Sequence, residues 1–144
     1  MWKNYLCSLS NTCQFKAPAT KDELLLIREE LNVELPMALA KLYGETNGVY
    51  GDYGISYIWS TQQIIKENLF FRTLHDYNDS IMSLHHFLFF SDAGNGDLFG
   101  YSLLNGRVHD DNIYVWNHED NSHNIIASSL EEFITGWITG KISI

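Results

Sequence analysis

The chain has 144 residues, of which 45% are hydrophobic, and its 18 acidic against 9 basic residues give a formal net charge of −9. A chain of this length buries roughly 70% of its unfolded surface on folding, so neither a metal nor a disulfide is needed for stability. The acidity argues against binding to nucleic acid or to an anionic membrane and favours a basic protein partner, unless it serves only solubility.

The charge is unevenly distributed along the chain. Residues 1–72 carry 8 acidic and 7 basic side chains, whereas residues 73–144 carry 10 acidic and 2 basic ones. Cys7 and Cys13 lack the spacing of a metal or redox motif and are typical of reduced cytoplasmic thiols. Residues 1–5 lack the apolar core of a signal peptide, and no apolar run reaches membrane-spanning length. We therefore expect one cytoplasmic domain over residues 1–144 that contacts no membrane.

The first third of the chain predicts three helices. A short first helix is indicated by apolar residues at helical spacing: Trp2, Tyr5, Leu6 and Leu9. Thr20 and Glu23 form a capping box that opens a second helix, which ends at Asn32. Its predicted buried stripe consists of Leu24, Leu25, Ile27 and Leu31. Leu35-Pro36 opens a third helix, with proline at the first helical position, and Asn47-Gly48 supplies a left-handed stop.

A loop, a strand and a helix are expected next. Residues 50–54 form a loop of glycine and tyrosine that leads into a strand over residues 55–59. Ser60 and Gln63 form a second capping box, which opens a helix with Ile64, Ile65 and Leu69 inside. Residues 72–80 are polar and predict a long surface loop, and residues 81–86 lead into the next strands.

A central hairpin is predicted over residues 87–104. Two runs rich in Phe, Leu and Tyr flank a loop in which Gly94 and Gly96 require positive φ. Both strands are almost continuously apolar, so we expect both faces to be covered. Asp92 and Asp97 end the loop; such a pair can hold a cation or a phosphate-bearing ligand, although aspartate in glycine loops more commonly stabilises the turn.

The last third continues the sheet and closes with a helix. Asn105-Gly106 predicts a tight turn, followed by an acidic loop over residues 108–112. Strands are expected over residues 113–116 and 124–127. Ser128 and Glu131 form a third capping box, which opens a final helix whose inward face consists of Leu130, Phe133, Ile134, Trp137 and Ile138.

Several of these segments match the motifs of a known family in order and spacing. Glu34-Leu-Pro36 is followed after one helix by Glu45-Thr-Asn-Gly48. The glycine-aspartate hairpin at residues 89–97, the tryptophan strand and its turn at residues 115–120, and the Ser-Leu-x-x-Phe helix start at residues 127–133 follow. Over residues 20–140 this pattern resembles the SUKH superfamily, the SMI/KNR-type domain.

The resemblance implies an α+β fold in which a mostly antiparallel, curved sheet is flanked by N-terminal and C-terminal helices. Bacterial members are chiefly thought of as immunity proteins that bind and block a cognate toxin, and many of those toxins are nucleases. Fungal relatives regulate cell-wall synthesis and signalling through protein contacts. Neither branch is known for a shared catalytic site, so the resemblance implies protein binding without a cofactor. A fold-level analogy does not by itself determine function.

The histidines are the starting point for any enzyme or metal site. Two loops combine histidines with carboxylates that suit a divalent cation: His109, Asp110, Asp111, His118, Glu119, Asp120 and His123. No fixed-spacing metal motif joins these loops, His85-His86 suit a turn or packing role, and no nucleophile motif is present. We therefore expect neither a metal nor catalysis, and a metal-dependent enzyme is the third alternative.

The residues that carry the resemblance are expected to serve the fold: Leu35, Pro36, Asn47, Gly48, Gly94, Gly96, Asp97 and Trp116. The predicted partner-binding surface consists of exposed aromatic and acidic loop residues: Tyr50, Asp52, Tyr53, Asp92, Asp110, Asp111, Glu119 and Asp120. Tyrosine supplies rigid contact area and carboxylate attracts a basic protein. Taken with this acidic surface, the resemblance implies an immunity protein that neutralises a basic toxin by stoichiometric contact, or alternatively a regulatory or scaffold module that is not toxin-linked.

Overall fold

The computed structural model describes residues 1–73 and 86–144. The predictions for residues 74–85, including the role of His85, lie outside these ranges. The described helices and strands follow one another in the order α1 (Trp2–Leu9), β1 (Gln14–Phe15), α2 (Lys21–Leu31), α3 (Met37–Tyr43), β2 (Val49–Tyr50), a 3₁₀ turn (Asp52–Gly54), β3 (Ser56–Ile58), α4 (Thr61–Thr73), β4 (Phe87–Asp92), β5 (Leu98–Leu104), β6 (Arg107–Val108), β7 (Ile113–Trp116), β8 (His123–Ala127) and α5 (Leu130–Thr139).

The described strands form two antiparallel sheets. The smaller has the order β1-β2-β3, and the larger has the order β4-β5-β7-β8 with β6 paired to β5. The sheets meet where β3 approaches β4: the Trp59 amide donates to the Phe90 carbonyl at 2.9 Å, and the Ser91 hydroxyl donates to the Tyr57 carbonyl at 2.7 Å. The predicted α+β fold with mostly antiparallel sheets and helices at both ends is confirmed.

The core is centred on the hairpin of β4 and β5. On one face, Phe90 and Phe99 pack against Phe133 of α5, and their ring centroids lie 5.6 Å and 4.7 Å, respectively, from the Phe133 ring centroid. On the other face, Phe89 packs against Phe71 of α4 at 6.3 Å and against Trp116 at 6.1 Å. Aromatic pairs at these separations add to the stabilisation from burial alone. The expectation that both faces of the hairpin are covered is confirmed.

Local turn and capping chemistry was predicted correctly at several positions. The Thr20 hydroxyl accepts from the Glu23 amide while the Glu23 carboxylate accepts from the Thr20 amide, and Asn32 ends α2 with φ 55°. Gly94 and Gly96 have φ 85° and 105°. Asn105-Gly106 forms the tight turn with φ 53° and 78°, which folds the unpredicted strand β6 back onto β5.

Three helix predictions were wrong in detail. Helix α3 ends at Tyr43 instead of Asn47-Gly48, and Pro36 precedes its first residue instead of occupying it. Helix α5 is capped by Ser129, whose hydroxyl accepts from the Glu132 amide at 3.1 Å. The predicted capping residue, Ser128, therefore lies one position before the observed one. Leu25 is 51% exposed because it lies roughly 140° around α2 from the middle of the buried face formed by Ile27 and Leu31.

Two further boundaries differ from the prediction. Residues 14–15 form strand β1, which the sequence pattern did not predict, because they pair with β2. Helix α4 continues to Thr73, beyond the expected start of the loop at residue 72. Within residues 1–73 and 86–144, each helix is too short or too polar to cross a lipid bilayer.

Candidate functional site

The segment of residues 45–48 joins elements that are distant in sequence. The Asn47 side-chain oxygen accepts from the Thr61 amide at the start of α4 at 2.8 Å, and its amide nitrogen donates to Glu23 of α2 at 3.2 Å. Thr46 is fully buried, and its hydroxyl accepts from the Lys16 amide at 2.9 Å while donating to the Gly48 carbonyl at 2.7 Å. These side chains are therefore engaged within the fold.

Glu45 caps helix α1 from outside that helix. Its carboxylate accepts from the backbone amides of Trp2 and Lys3 at 2.8 Å and 3.0 Å, and the Met1 amino group lies 3.0 Å from Oε1. Because the first amides of a helix have no acceptor within it, this carboxylate supplies one. The amide hydrogen bonds from Lys3 and Trp2 lower the pKa of Glu45 to about 2.

The loop between β4 and β5 is fixed to the loop between β7 and β8 by Asp97 and His118. Asp97 is 7% exposed and accepts from the His118 amide at 3.1 Å, and its Oδ1 lies 2.6 Å from the His118 Nδ1. Burial acts to raise the pKa of Asp97, but the hydrogen bonds from His118 and Asn95 outweigh it and lower that pKa. A Cβ at Gly96 would lie 2.9 Å from the His118 ring, so this contact requires glycine.

An open groove of about 760 Å³ lies at one end of the sheets, between the β2–β3 connection, the β4–β5 loop and α5. We call it the tyrosine groove, and define it by the aromatic residues Tyr50, Tyr53, Tyr57 and Trp137 together with Asp92 and Asn95. Gly54, Ile55, Ser56, Gln63, Ala93 and Gly94 complete its lining. Concave surfaces that combine aromatic side chains with a few polar groups are typical of binding sites.

Close glycine contacts set the positions of two rings in this groove. The Tyr50 ring would be 2.9 Å from a Cβ at Gly48, and the Tyr57 ring would be 2.7 Å from one at Gly51. The Lys16 ammonium lies 5.4 Å from the Tyr50 ring centroid, a cation–π contact. A larger residue at Gly48 or Gly51 would displace these rings, so the glycines determine the shape of the groove.

Asp92 and Trp137 are held in the groove by the core. The Asp92 carboxylate accepts from the Trp59 indole N–H at 2.7 Å and from the Gly94 amide at 2.9 Å. The Trp137 ring packs against Phe99 with centroids 5.0 Å apart. Both side chains therefore enter the groove already oriented, which lowers the entropic cost of binding.

Tyr53 combines an unfavourable backbone with full exposure. Its φ of 61° and ψ of 27° lie in the left-handed region, and the residue is fully exposed to solvent, with a relative accessibility of 101%. A non-glycine residue in this region costs roughly 1–2 kcal/mol. Ile55, two residues later, is also 50% exposed. The contacts of Tyr53 within the described chain do not explain an aromatic residue at this position.

The predicted partner-binding residues divide between the two ends of the larger sheet. Tyr50, Tyr53 and Asp92 line the tyrosine groove, and the exposed Asp52 immediately precedes Tyr53 in the chain. Burial raises the pKa of Tyr57, and the charges of Cys13 and Asp52 raise it further. Antiparallel pairing of Leu98 with Trp116, and of Trp116 with His123, places the loop of Glu119 and Asp120 at the same end as the β4–β5 loop.

Asp110 and Asp111 follow β6 at the opposite end of the sheet. Asp110 accepts from the Asn112 amide at 3.0 Å, and Asp111 lines a separate cleft with Tyr101 and Lys41. The two histidine-carboxylate loops are therefore apart, and among residues 1–73 and 86–144 no three His, Cys, Asp or Glu side chains are grouped to hold a metal ion.

Two of the histidines in these loops contact other side chains of the fold. The His123 ring lies 5.2 Å from that of Phe87, and His118 bonds to Asp97. His86 is exposed.

Sequence reasoning missed Tyr57 and Trp137 as groove residues. Tyr57 was assigned only to a strand, yet the two-residue period of β3 places it on the face opposite the buried Ile58. Trp137 was assigned to the inward face of α5, and its partial exposure at the edge of that face has no local sequence signal.

The described residues define a small α+β domain that presents an aromatic and acidic groove at one end of its sheets. The family model SUKH_6, described as SMI1-KNR4 cell-wall, matches residues 21–134. The chain therefore belongs to the SUKH superfamily, and the predicted resemblance is confirmed. A comparison with curated proteins gave no match.

Proposed function

We propose that the protein is an immunity protein that binds a cognate toxin stoichiometrically and blocks it. Family membership supports a role in protein–protein interaction. The observation that carries the proposal is Tyr53, which is fully exposed and held in a left-handed conformation beside an open groove. Exposed aromatic residues supply much of the binding energy in protein interfaces. On this proposal the domain spans residues 1–144 and acts in the cytoplasm, where a toxin would be neutralised.

The partner is a basic protein on the same proposal. The net charge of −9 and the acids near the groove, Asp52, Asp92, Glu119 and Asp120, favour encounter with a basic surface. If the toxin is a nuclease, these acids would occupy the surface that binds the nucleic-acid backbone. Neutralisation would follow from covering the active site or from holding an inactive conformation.

A second candidate function is a regulatory or scaffold module of the cell-wall or signalling type. The observation that favours it is the description of the matching family as cell-wall. Such a module would also use the tyrosine groove, but its partner would have no toxic activity. The two candidates therefore differ in the partner and not in the binding surface.

The test is affinity capture of the tagged protein from its native host, followed by co-expression with the gene of the captured partner. We expect a stoichiometric complex with a toxin domain and restored growth of cells that produce the toxin. Tyr53→Ala should abolish this protection, whereas Met37→Ala, which alters another exposed apolar residue, should not. Capture of a partner that is harmless when expressed alone would support the second candidate and contradict the first.

A further inference from the structure

The tyrosine groove combines aromatic faces with carboxylates. Tyr53, Tyr57 and Trp137 contribute rings, Asp92 contributes a carboxylate, and the exposed Asp52 lies next to Tyr53 in the chain. Of the described residues, none that lines the groove is a lysine or an arginine. The electron-rich faces of Tyr and Trp and the negative charge of Asp attract the same kind of group, a cation.

One ring of the groove already contacts a cation of the chain, from a residue that is not part of the groove lining. Lys16 lies over Tyr50 with its ammonium 5.4 Å from the ring centroid. That contact engages Tyr50, and it leaves the exposed ring of Tyr53 and the half-buried rings of Tyr57 and Trp137 for an incoming group.

The Asp92 carboxylate is oriented for further hydrogen bonds. Its Oδ2 accepts from the Trp59 indole and its Oδ1 accepts from the Gly94 amide. Each carboxylate oxygen has two acceptor positions, so each retains capacity for a second donor. Because Trp59 is 1% exposed and fixed in the core, the carboxylate is held in place before any partner arrives.

We propose that the tyrosine groove binds an arginine side chain of the protein partner, with the guanidinium on an aromatic face and its N–H groups donating to Asp92 or Asp52. This inference rests on the proposed protein-binding function. Arginine fits better than lysine because its planar guanidinium stacks on aromatic rings and donates to carboxylates in a forked geometry. The volume of about 760 Å³ also accommodates residues that flank the arginine in an extended segment.

The test uses three short peptides, acetyl-Gly-Arg-Gly-amide and its lysine and citrulline counterparts, titrated into isotope-labelled full-length protein. Citrulline has the shape of arginine without the charge. We expect saturable chemical-shift changes at the Gly54 and Gly94 amides and at the Trp137 indole with the arginine peptide. The lysine peptide should bind about threefold more weakly and the citrulline peptide about tenfold more weakly, as loss of a charge-assisted contact predicts.

Variants identify the groups responsible. Asp52→Asn and Tyr53→Ala should each weaken arginine-peptide binding by about threefold or more, whereas Glu30→Gln on the outer face of α2 should leave it unchanged. Equal binding of the citrulline peptide, saturable shifts outside the groove, or no saturable shifts would each overturn the arginine assignment. Because these peptides require no toxin, their failure leaves the toxin-neutralisation test intact, and failure of that test leaves the peptide result intact.

Discussion

The side chain of Asn47 caps a helix to which it does not belong: its oxygen accepts from the Thr61 amide of α4 at 2.8 Å. Its nitrogen donates to Glu23 of α2 at 3.2 Å. A single amide group thus connects the N-terminal turns of two helices that pack against each other. An amide side chain has an acceptor and a donor on neighbouring atoms, whereas a carboxylate at this position could only accept.

Replacement of Asn47 should separate these two contributions. Asn47→Ala leaves the Thr61 amide without its acceptor and should lower the free energy of unfolding by about 2 kcal/mol. Asn47→Asp retains an acceptor but places a carboxylate beside Glu23, and addition of Glu23→Gln should recover part of the loss. Urea denaturation measures each value, with the exposed Asn11→Ala as control. Equal stability of Asn47→Ala and the control would contradict the capping role.

Glu45 should make stability depend on pH in the acidic range. Its pKa is lowered from 4.5 to about 2 in the folded protein, so its contribution is complete above about pH 4.5 and is lost as the pH falls toward 2. Glu45→Gln should lower the free energy of unfolding at pH 7 by about 1 kcal/mol and by progressively less below pH 4.5. Parallel stability curves for wild type and variant from pH 7 to pH 3 would rule this out. Glu34→Gln, at a surface ion pair with Arg28, is the control.

Asn68 should be the most sensitive polar position in α4. Its side chain is 1% exposed, donates to the Phe89 carbonyl at 2.8 Å and accepts from the Phe89 amide at 2.9 Å, as a neighbouring strand would. Asn68→Ala leaves both backbone groups unpaired and creates a cavity, so we expect a loss of about 3 kcal/mol or more in thermal or urea unfolding. Gln62→Ala, on the exposed side of the same helix, should change stability by less than about 0.5 kcal/mol. Similar effects of the two substitutions would refute the pairing role.

Tyr53→Gly should stabilise the protein while weakening its binding. Glycine relieves the left-handed strain at φ 61°, and the fully exposed ring is lost without a change in packing, so the free energy of unfolding should rise by up to about 1 kcal/mol. Affinity for the captured partner should fall, as measured by calorimetry. Tyr53→Asn, which tolerates the same backbone, separates strain from ring loss. A variant that is both less stable and fully able to bind would contradict the functional reading of this strain.

Association kinetics can test which of the two acidic loops, at opposite ends of the sheet, attracts the partner. Removing the charges of Glu119 and Asp120, as the Glu119→Gln and Asp120→Asn pair, should slow association with the captured partner severalfold at low salt and reduce its salt dependence. The Asp110→Asn and Asp111→Asn pair, at the opposite end, removes the same charge and should have a smaller effect. Equal effects of the two pairs would show that net charge alone accelerates encounter.

Features with local causes were predictable from the sequence. The β4–β5 hairpin, the Asn105-Gly106 turn and the capping box of α2 each depend on residues that are adjacent or three positions apart. Their physical basis is turn geometry and capping, which the neighbouring residues determine almost completely. These elements were therefore placed close to their observed positions.

Features with long-range causes were missed. Asn68 pairs with Phe89, 21 residues away, and Asn47 contacts two helices from a segment that local patterns assign to a helix stop. The tyrosine groove likewise forms only when the β2–β3 connection, the β4–β5 loop and α5 meet, so Tyr57 and Trp137 could not be grouped with Tyr53 beforehand. The residue periodicity within one segment carries no information about contacts between segments that are distant in sequence.

On the proposed function, residues that serve the fold, such as Glu45, Thr46 and Asn47, are separate from those that would contact a partner. Their side chains bond to α1, to Lys16 after β1, to α2 and to α4, whereas Tyr53 and Ile55 are exposed in a short connection. Exchange of the exposed residues changes the surface offered to a partner while the internal hydrogen bonds persist. After gene duplication, a few substitutions at the exposed residues would therefore change the partner of one copy without loss of stability, since the stabilising hydrogen bonds come from other residues.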